Sequence, residues 1–215
     1  MSTFVDAFRF MGDHQHLLLS KAEQHIELSG AALVIALVLA LPIGLWLGHL
    51  HRGLFAAASV ANVGRSLPSL VLIALGLTVF GIGFWNNTVA LVVLAIPPIL
   101  TNAYFAMEGV DPDAVEAARG VGMTELQVLV RVELPLGLPL VFAGIRIAAI
   151  FVIATATIAA IAGGGGLGEI IVNRASYGDA GVVAASLCVS ALAFAAALIL
   201  SVVRRSVSPR HTSVA

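Results

Sequence analysis

The chain has 215 residues, 60% of them hydrophobic and 11% charged, with a formal net charge of -1 and a mean hydropathy of +1.03. Soluble domains carry about 25% charged and about 45–50% apolar residues, so this composition excludes an ordinary soluble domain, a disordered chain and a nucleic-acid binder. It leaves an all-α integral membrane protein, a polytopic helical bundle of about five or six spans at about 20 residues each.

Residues 1–27 form an amino-terminal flank in which Asp6, Arg9, Asp13, Lys21, Glu23 and Glu27 are scattered among apolar residues. Phe4, Phe8, Phe10 and Met11 suit an amphipathic helix lying on the bilayer surface. The flank lacks the basic start, clean apolar core and small-residue cleavage site of a signal peptide. Leu28–Leu50 is free of Asp, Glu, Lys and Arg and is expected to be the first span. Ser66 to Met107 is likewise free of them. That stretch is long enough for two spans, about Leu67–Phe84 and Thr88–Met107, parted by Gly81, Gly83, Asn86 and Asn87. Pro97 and Pro98 are expected to break or bend the third span. Residues 108–135 are the main charged block. Leu138–Ala162 is the expected fourth span, with Arg146 inside it, then a Gly-rich connection over 163–179 and a fifth span, Ala180–Val203. The membrane-spanning region is thus 28–205, followed by a short tail, 206–215.

With five spans, Arg52, Arg65, Arg119, Arg131, Arg204, Arg205 and Arg210 share one side, against Arg9, Lys21 and Arg174 on the other. The positive-inside rule then sets the amino terminus outside and the carboxyl terminus in the cytoplasm. The charged block 108–135 becomes the longest cytoplasmic loop. It carries signals for two short helices. Asp111 is an N-cap followed by Pro112 at the first helical position, and Gly120 and Gly122 end that helix. Thr124 and Gln127 form a capping box for a second helix, which Pro135 is expected to stop. Val115, Ala118, Leu126 and Leu129 give the pair an apolar side, and Ala114, Ala117 and Ala118 would admit a close partner backbone.

Glu116-Ala117-Ala118, three residues, Gly122, nine residues, then Val132-Glu133-Leu134-Pro135 resembles the EAA loop of ABC importer permeases, Glu-Ala-Ala-x3-Gly-x9-Ile-x-Leu-Pro. The one departure is Val132 for Ile. Arg65-Ser66-Leu67-Pro68-Ser69-Leu70, Phe80-Gly81-Ile82-Gly83, and Ala154-Thr155-Ala156-Thr157 leading to Gly164–Gly168 are similar to the permeases that import glycine betaine, choline, carnitine or proline. The resemblance covers about Ser29–Arg205. It implies a type I importer fold, a partner cytoplasmic ATPase docked on the EAA loop, a second permease copy or homologous permease, and an extracytoplasmic solute-binding protein, in a bacterial plasma membrane. Glu116, Ala117, Ala118, Gly122, Leu134 and Pro135 are then the ATPase-coupling residues, with Glu116 the polar contact and Gly122 the turn. No cofactor is expected on this chain: it has no Gly-x4-Gly-Lys-Ser/Thr phosphate loop, so ATP belongs to the partner and the chain is not an enzyme.

Candidate pathway or gate residues are Ser66, Pro68, Ser69, Arg146, Thr155, Thr157, Gly165 and Gly166. An intramembrane charge is a functional candidate by default, and Arg146 either lines the path, pairs with Glu133 or Glu169, or snorkels to the interface; the last is the favoured reading. Thr155 and Thr157 suit packing better than transport. The glycines of 163–168 read equally as a gate, a rim for the binding protein, or a flexible connection. Trp46 and Trp85 occupy aromatic-belt positions. His14, His16 and His25 lack metal-ligand spacing, and Cys188, the only cysteine, allows no intrachain disulfide. Two further functional readings stand beside the leading one. One is an ABC permease for another small solute, an amino acid or organic ion; the other is a passive channel, which the EAA loop disfavours.

Overall fold

Two adjacent prolines remove two backbone N–H groups from the middle of the third apolar run, yet that run is a single helix. In the computed structural model, which describes residues 2–207, helix α5 spans Phe84–Glu108 without interruption through Pro97 and Pro98. The Thr101 hydroxyl donates to the Pro97 carbonyl at 2.7 Å and the Asn102 amide to the Pro98 carbonyl at 2.8 Å. The helix is also enclosed on two sides, so tertiary packing overrides the local cost of the prolines.

Helix α2 (Gln15–His49) and helix α8 (Leu134–Ala159) are those two sides. Both reach α5 through glycines. A Cβ on Gly44 would lie 2.6 Å from the Leu100 carbonyl oxygen, and one on Gly48 would lie 2.4 Å from that of Tyr104. From the other side, a Cβ on Gly137 would lie 2.7 Å from the Ala106 oxygen and one on Gly144 2.8 Å from the Pro98 oxygen. Backbones therefore touch where side chains would keep helices apart, the small-xxx-small packing of membrane bundles. Leu91, Ala95, Ile99 and Tyr104 of α5 are almost wholly buried against Leu28, Ala32, Ala36 and Ala40 of α2 and Ala148, Val152 and Ala156 of α8.

The remaining helices surround this layer. They are α1 (Ser2–Asp13), α3 (Leu54–Ser66), α4 (Ser69–Phe80), α6 (Pro112–Gly120), α7 (Glu125–Val128), α9 (Leu167–Val172) and α10 (Arg174–Val207). Among the described residues, four helical stretches are long and apolar enough to span: Gln15–His49, Phe84–Glu108, Glu125–Ala162 and Arg174–Val207. Val34, Val38, Phe194, Leu198 and Ile199 stand exposed on α2 and α10, as side chains facing lipid must.

Several expected boundaries shift. The first span does not begin at Leu28: α2 starts at Gln15 and absorbs the second half of the flank. The expected second span is α4 alone, 12 residues, or about 18 Å at 1.5 Å per residue, short of the ~30 Å hydrocarbon core. Pro68 is the cause. It holds φ -66° and ψ 124° and ends α3 just before it, leaving a broken α3–α4 pair. Pro135 does not stop the second loop helix. From Thr124 the chain runs through α7 and a π-helical turn, Leu129–Glu133, directly into α8. In that turn the Leu134 N–H reaches back five residues to the Leu129 carbonyl, so the missing N–H of Pro135 falls where the hydrogen-bond register changes. Of the predicted tail 206–215, residues 208–215 lie outside the described residues.

Candidate functional site

The loop between α5 and α8 is built from local signals. The Asp111 carboxylate accepts from the Asp113 N–H at 3.0 Å and caps α6. Gly122 has φ +87°, a left-handed conformation that favours glycine, and turns the chain between the two short helices. Thr124 and Gln127 then close a reciprocal capping box, with the Thr124 N–H donating to the Gln127 side chain at 2.9 Å. Val110, Val115, Ala118 and Val128 pack together beneath the pair, which makes the loop a preformed knob.

The outer surface of this knob is mixed. Glu116 and Ala117 are exposed, and beside them Val121 (76% exposed), Leu126 (63%) and Val130 (51%) project apolar side chains away from the bundle. The expected apolar side is thus divided: Val115, Ala118 and Leu129 turn inward, whereas Leu126 faces out. Ala118 serves the knob's own core and does not leave room for a partner. Leu134 and Pro135 are half-buried at the start of α8.

Charges lace the base of the knob. Arg119 donates to Glu125 through both Nε (3.2 Å) and an Nη (2.9 Å). This bond raises the guanidinium above its already high ordinary value, so the cation is permanent. On α2, His49 Nδ1 donates to the Glu133 carboxylate at 2.7 Å, both side chains being 1% exposed, and its Nε2 lies 3.3 Å from Glu125. One turn away, His51 Nδ1 and the Tyr104 hydroxyl donate to Glu108 at 3.1 and 3.2 Å. Neither His49 nor Glu125 was singled out by motif, because residues 49 and 133 meet only through the tertiary fold.

The pathway candidates do not converge on one place. Ser66, Pro68 and Ser69 sit at the α3–α4 break. Arg146 pairs with neither Glu133 nor Glu169: it donates to Ser201 on α10 at 3.4 Å and lines a shallow cleft with Arg204. Glu133 is held by His49 and Glu169 by Lys21. Thr155 is buried, and the Thr157 hydroxyl donates back to the Ala154 carbonyl at 2.7 Å. Gly165 and Gly166 belong to a tied turn. Gly166, at φ +71°, donates its N–H to Gln24 at 3.2 Å, and the Asn87 amide donates to the carbonyls of Gly83 (2.8 Å) and Ala162 (3.2 Å). The connection read as flexible is therefore pinned to α2 and α5, and it contains α9. A cleft of about 460 Å³ opens elsewhere, between α3, α5 and α8, lined by Gly64, Pro97, Pro98, Thr101, Asn102 and Phe151 among others. Thr101 and Asn102 were missed in the sequence; polar residues four positions after each proline of a pair were the available signal.

Residues 33–210 match the family described as "binding-protein-dependent transport system inner membrane component". The chain is 34% identical to the glycine betaine/carnitine/choline transport system permease protein OpuCB of Bacillus subtilis, over 90% of this chain and 89% of the relative. It is 36% identical to the carnitine transport permease protein OpuCB of Listeria monocytogenes, over 76% and 75%. It is 33% identical to the osmoprotectant import permease protein OsmW of Salmonella typhimurium, over 81% and 84%. The inward-facing MetNI methionine ABC transporter shares its fold, with a TM-score of 0.79 at 23% identity over 92% of this chain and 99% of that one. The chain is thus a multi-pass membrane protein with a type I importer fold, and it belongs to the family of inner membrane components of binding-protein-dependent transport systems.

Proposed function

We propose that this chain is the membrane-spanning subunit of an ATP-driven importer of a compatible solute such as glycine betaine, choline, carnitine or proline. The carrying observation is the exposed face of the α6–α7 knob. Glu116 and Ala117 beside Val121, Leu126 and Val130 offer a partner a polar contact in an apolar surround, while the buried side of the same helices anchors them to the bundle. A cytoplasmic ATPase docks there, with Glu116 as its polar contact and Gly122, Leu134 and Pro135 shaping the support. ATP stays on that partner, and this chain holds no cofactor. The loop end is cytoplasmic and the amino terminus is outside, by the distribution of arginines. The names of the relatives, which run through glycine betaine, carnitine and choline, support the cargo class.

A second permease, identical or homologous, completes the pathway, and an extracytoplasmic binding protein meets the opposite end near the pinned Gly165–Gly166 turn. The cleft between α3, α5 and α8 is where the path passes. Broken backbone such as the α3–α4 pair is tolerated at membrane depth where it lines a cavity, and Pro68 makes that break. ATP-driven closure of the ATPase pair then biases two membrane conformations through differential contacts.

The test is uptake of radiolabelled glycine betaine, choline, carnitine and proline into proteoliposomes holding this chain with its ATPase and binding protein. ATP-dependent uptake of at least one is expected. An ATPase bound without uptake of any of the four would remove the cargo assignment. Uptake without ATP or any partner would replace the importer with a channel.

A further inference from the structure

His49 stands where three separate parts of the chain meet. It is the last residue of α2, Glu133 lies immediately before α8, and Glu125 opens the second helix of the docking knob. The imidazole is 1% exposed and has a carboxylate at each nitrogen, Glu133 at 2.7 Å and Glu125 at 3.3 Å. Glu125 in turn is held by the fork of Arg119, at the end of α6. A continuous chain of polar side chains, Arg119–Glu125–His49–Glu133, therefore runs from the exposed knob to the buried bases of two spans.

Stability alone does not account for this arrangement. Burying polar side chains costs desolvation, and a well-packed apolar pair in their place is often as stable or more so. An apolar pair would fill the same space between α2 and α8. It could not hold Glu125, which is 58% exposed and belongs to the knob. What the polar pair adds is a fixed link between a surface element and the helices beneath it.

The link ends on a stiff body. Gly48, the neighbour of His49, brings α2 against the Tyr104 carbonyl of α5, and His51 and Tyr104 both bind Glu108 at the end of α5. Displacement of the knob would thus act on α2 and α5 together and on the start of α8. At the junction with α8 the backbone is a π-helical turn, Leu129–Glu133, a feature found mostly as an insertion at functional places.

We infer that His49 is a positioning residue that transmits movement of the α6–α7 knob to the spans, through Glu125 on the knob and Glu133 at the base of α8. The inference rests on the docking role proposed above. It assigns to His49 no contact with solute, nucleotide or ATPase.

The experiment measures solute imported per ATP hydrolysed in proteoliposomes containing the full transporter, together with the ATPase retained on tagged permease. The double variant His49→Leu/Glu133→Leu leaves no unpaired buried charge, so it is expected to fold and to retain the ATPase at the wild-type level. Its solute-to-ATP ratio should fall about twofold to thirtyfold, the span of effects found for substitutions along coupling networks. Glu125→Gln, on an exposed side chain, should lower the ratio in the same direction by less. A wild-type ratio in the double variant, beside active wild-type protein, would overturn the role of His49 while leaving the importer intact. Loss of ATPase retention in the double variant would also overturn it, because the pair would then serve the shape of the knob. Wild-type protein that binds no ATPase and imports nothing would instead refute the docking reading itself.

Discussion

Glu116→Arg should reduce ATP-driven uptake at least about thirtyfold while leaving the protein inserted and monodisperse. Glu116 is exposed on α6, so the substitution removes nothing from the core, and surface changes of this kind usually alter stability by less than about 0.5 kcal/mol. The loss falls on docking. A charge reversal at the centre of a partly apolar interface leaves the partner's polar group unpaired and adds a like-charge contact, which together cost about 2–5 kcal/mol or more. The readouts are ATPase retained on affinity-purified permease and initial uptake rate. Retention at the wild-type level with uptake intact would remove Glu116 from the interface. Leu126→Asp makes the same test from the apolar side of the knob, where 63% of the leucine is exposed.

Gly48→Ala should destabilise the bundle, whereas Gly30→Ala should leave it unchanged or slightly stabilised. Both glycines lie inside α2, where replacing glycine by alanine ordinarily stabilises a helix by about 0.5–1 kcal/mol. At Gly30 a Cβ would have nothing within 4 Å, so that ordinary gain applies. At Gly48 it would lie 2.4 Å from the Tyr104 carbonyl oxygen and 2.9 Å from the Met107 Cβ. Neither neighbour is the end of a flexible side chain, so α2 and α5 must separate. Overpacking costs about 1–3 kcal/mol and occasionally more, and here it also pulls His49 away from Glu133. Thermal unfolding of the purified protein in detergent, followed by size-exclusion, distinguishes the two variants. Equal midpoints would show that the α2–α5 approach is looser than the structure has it.

What could be read from the sequence divides by range. The knob was legible because its causes are local: Asp111 before Pro112, Thr124 three residues before Gln127, and Gly122 between them all act within one turn of chain. The apolar runs were legible for the same reason. The helix ends were less so. Pro97, Pro98 and Pro135 read as interrupters, yet α5 continues because α2 and α8 enclose it, and α8 continues because a π-helical turn moves the register change onto Pro135. Pro68 did interrupt, where Ser66 and Pro68 itself are exposed. The packing signal Gly44-x3-Gly48 was present in the sequence and was not used; small residues at that spacing mark a helix contact. The His49–Glu133 pair was not legible, because no local rule joins residues 84 apart. Arg146 donates to Ser201 and to neither of the carboxylates considered for it.

Cross-linking locates the docking surface most directly. Single cysteines placed at positions 116 and 126, in a chain whose one native cysteine, Cys188, is replaced by serine, would be labelled with a thiol-reactive benzophenone, irradiated in membranes containing the ATPase and compared with cysteines replacing Trp85 and Val172 on the opposite end of the bundle. If the ATPase docks on the knob, a permease–ATPase adduct is expected from 116 and 126, altered in yield by ATP, and none from 85 or 172. Adducts from 85 or 172, or none from either position on the knob while the ATPase remains bound, would contradict that docking.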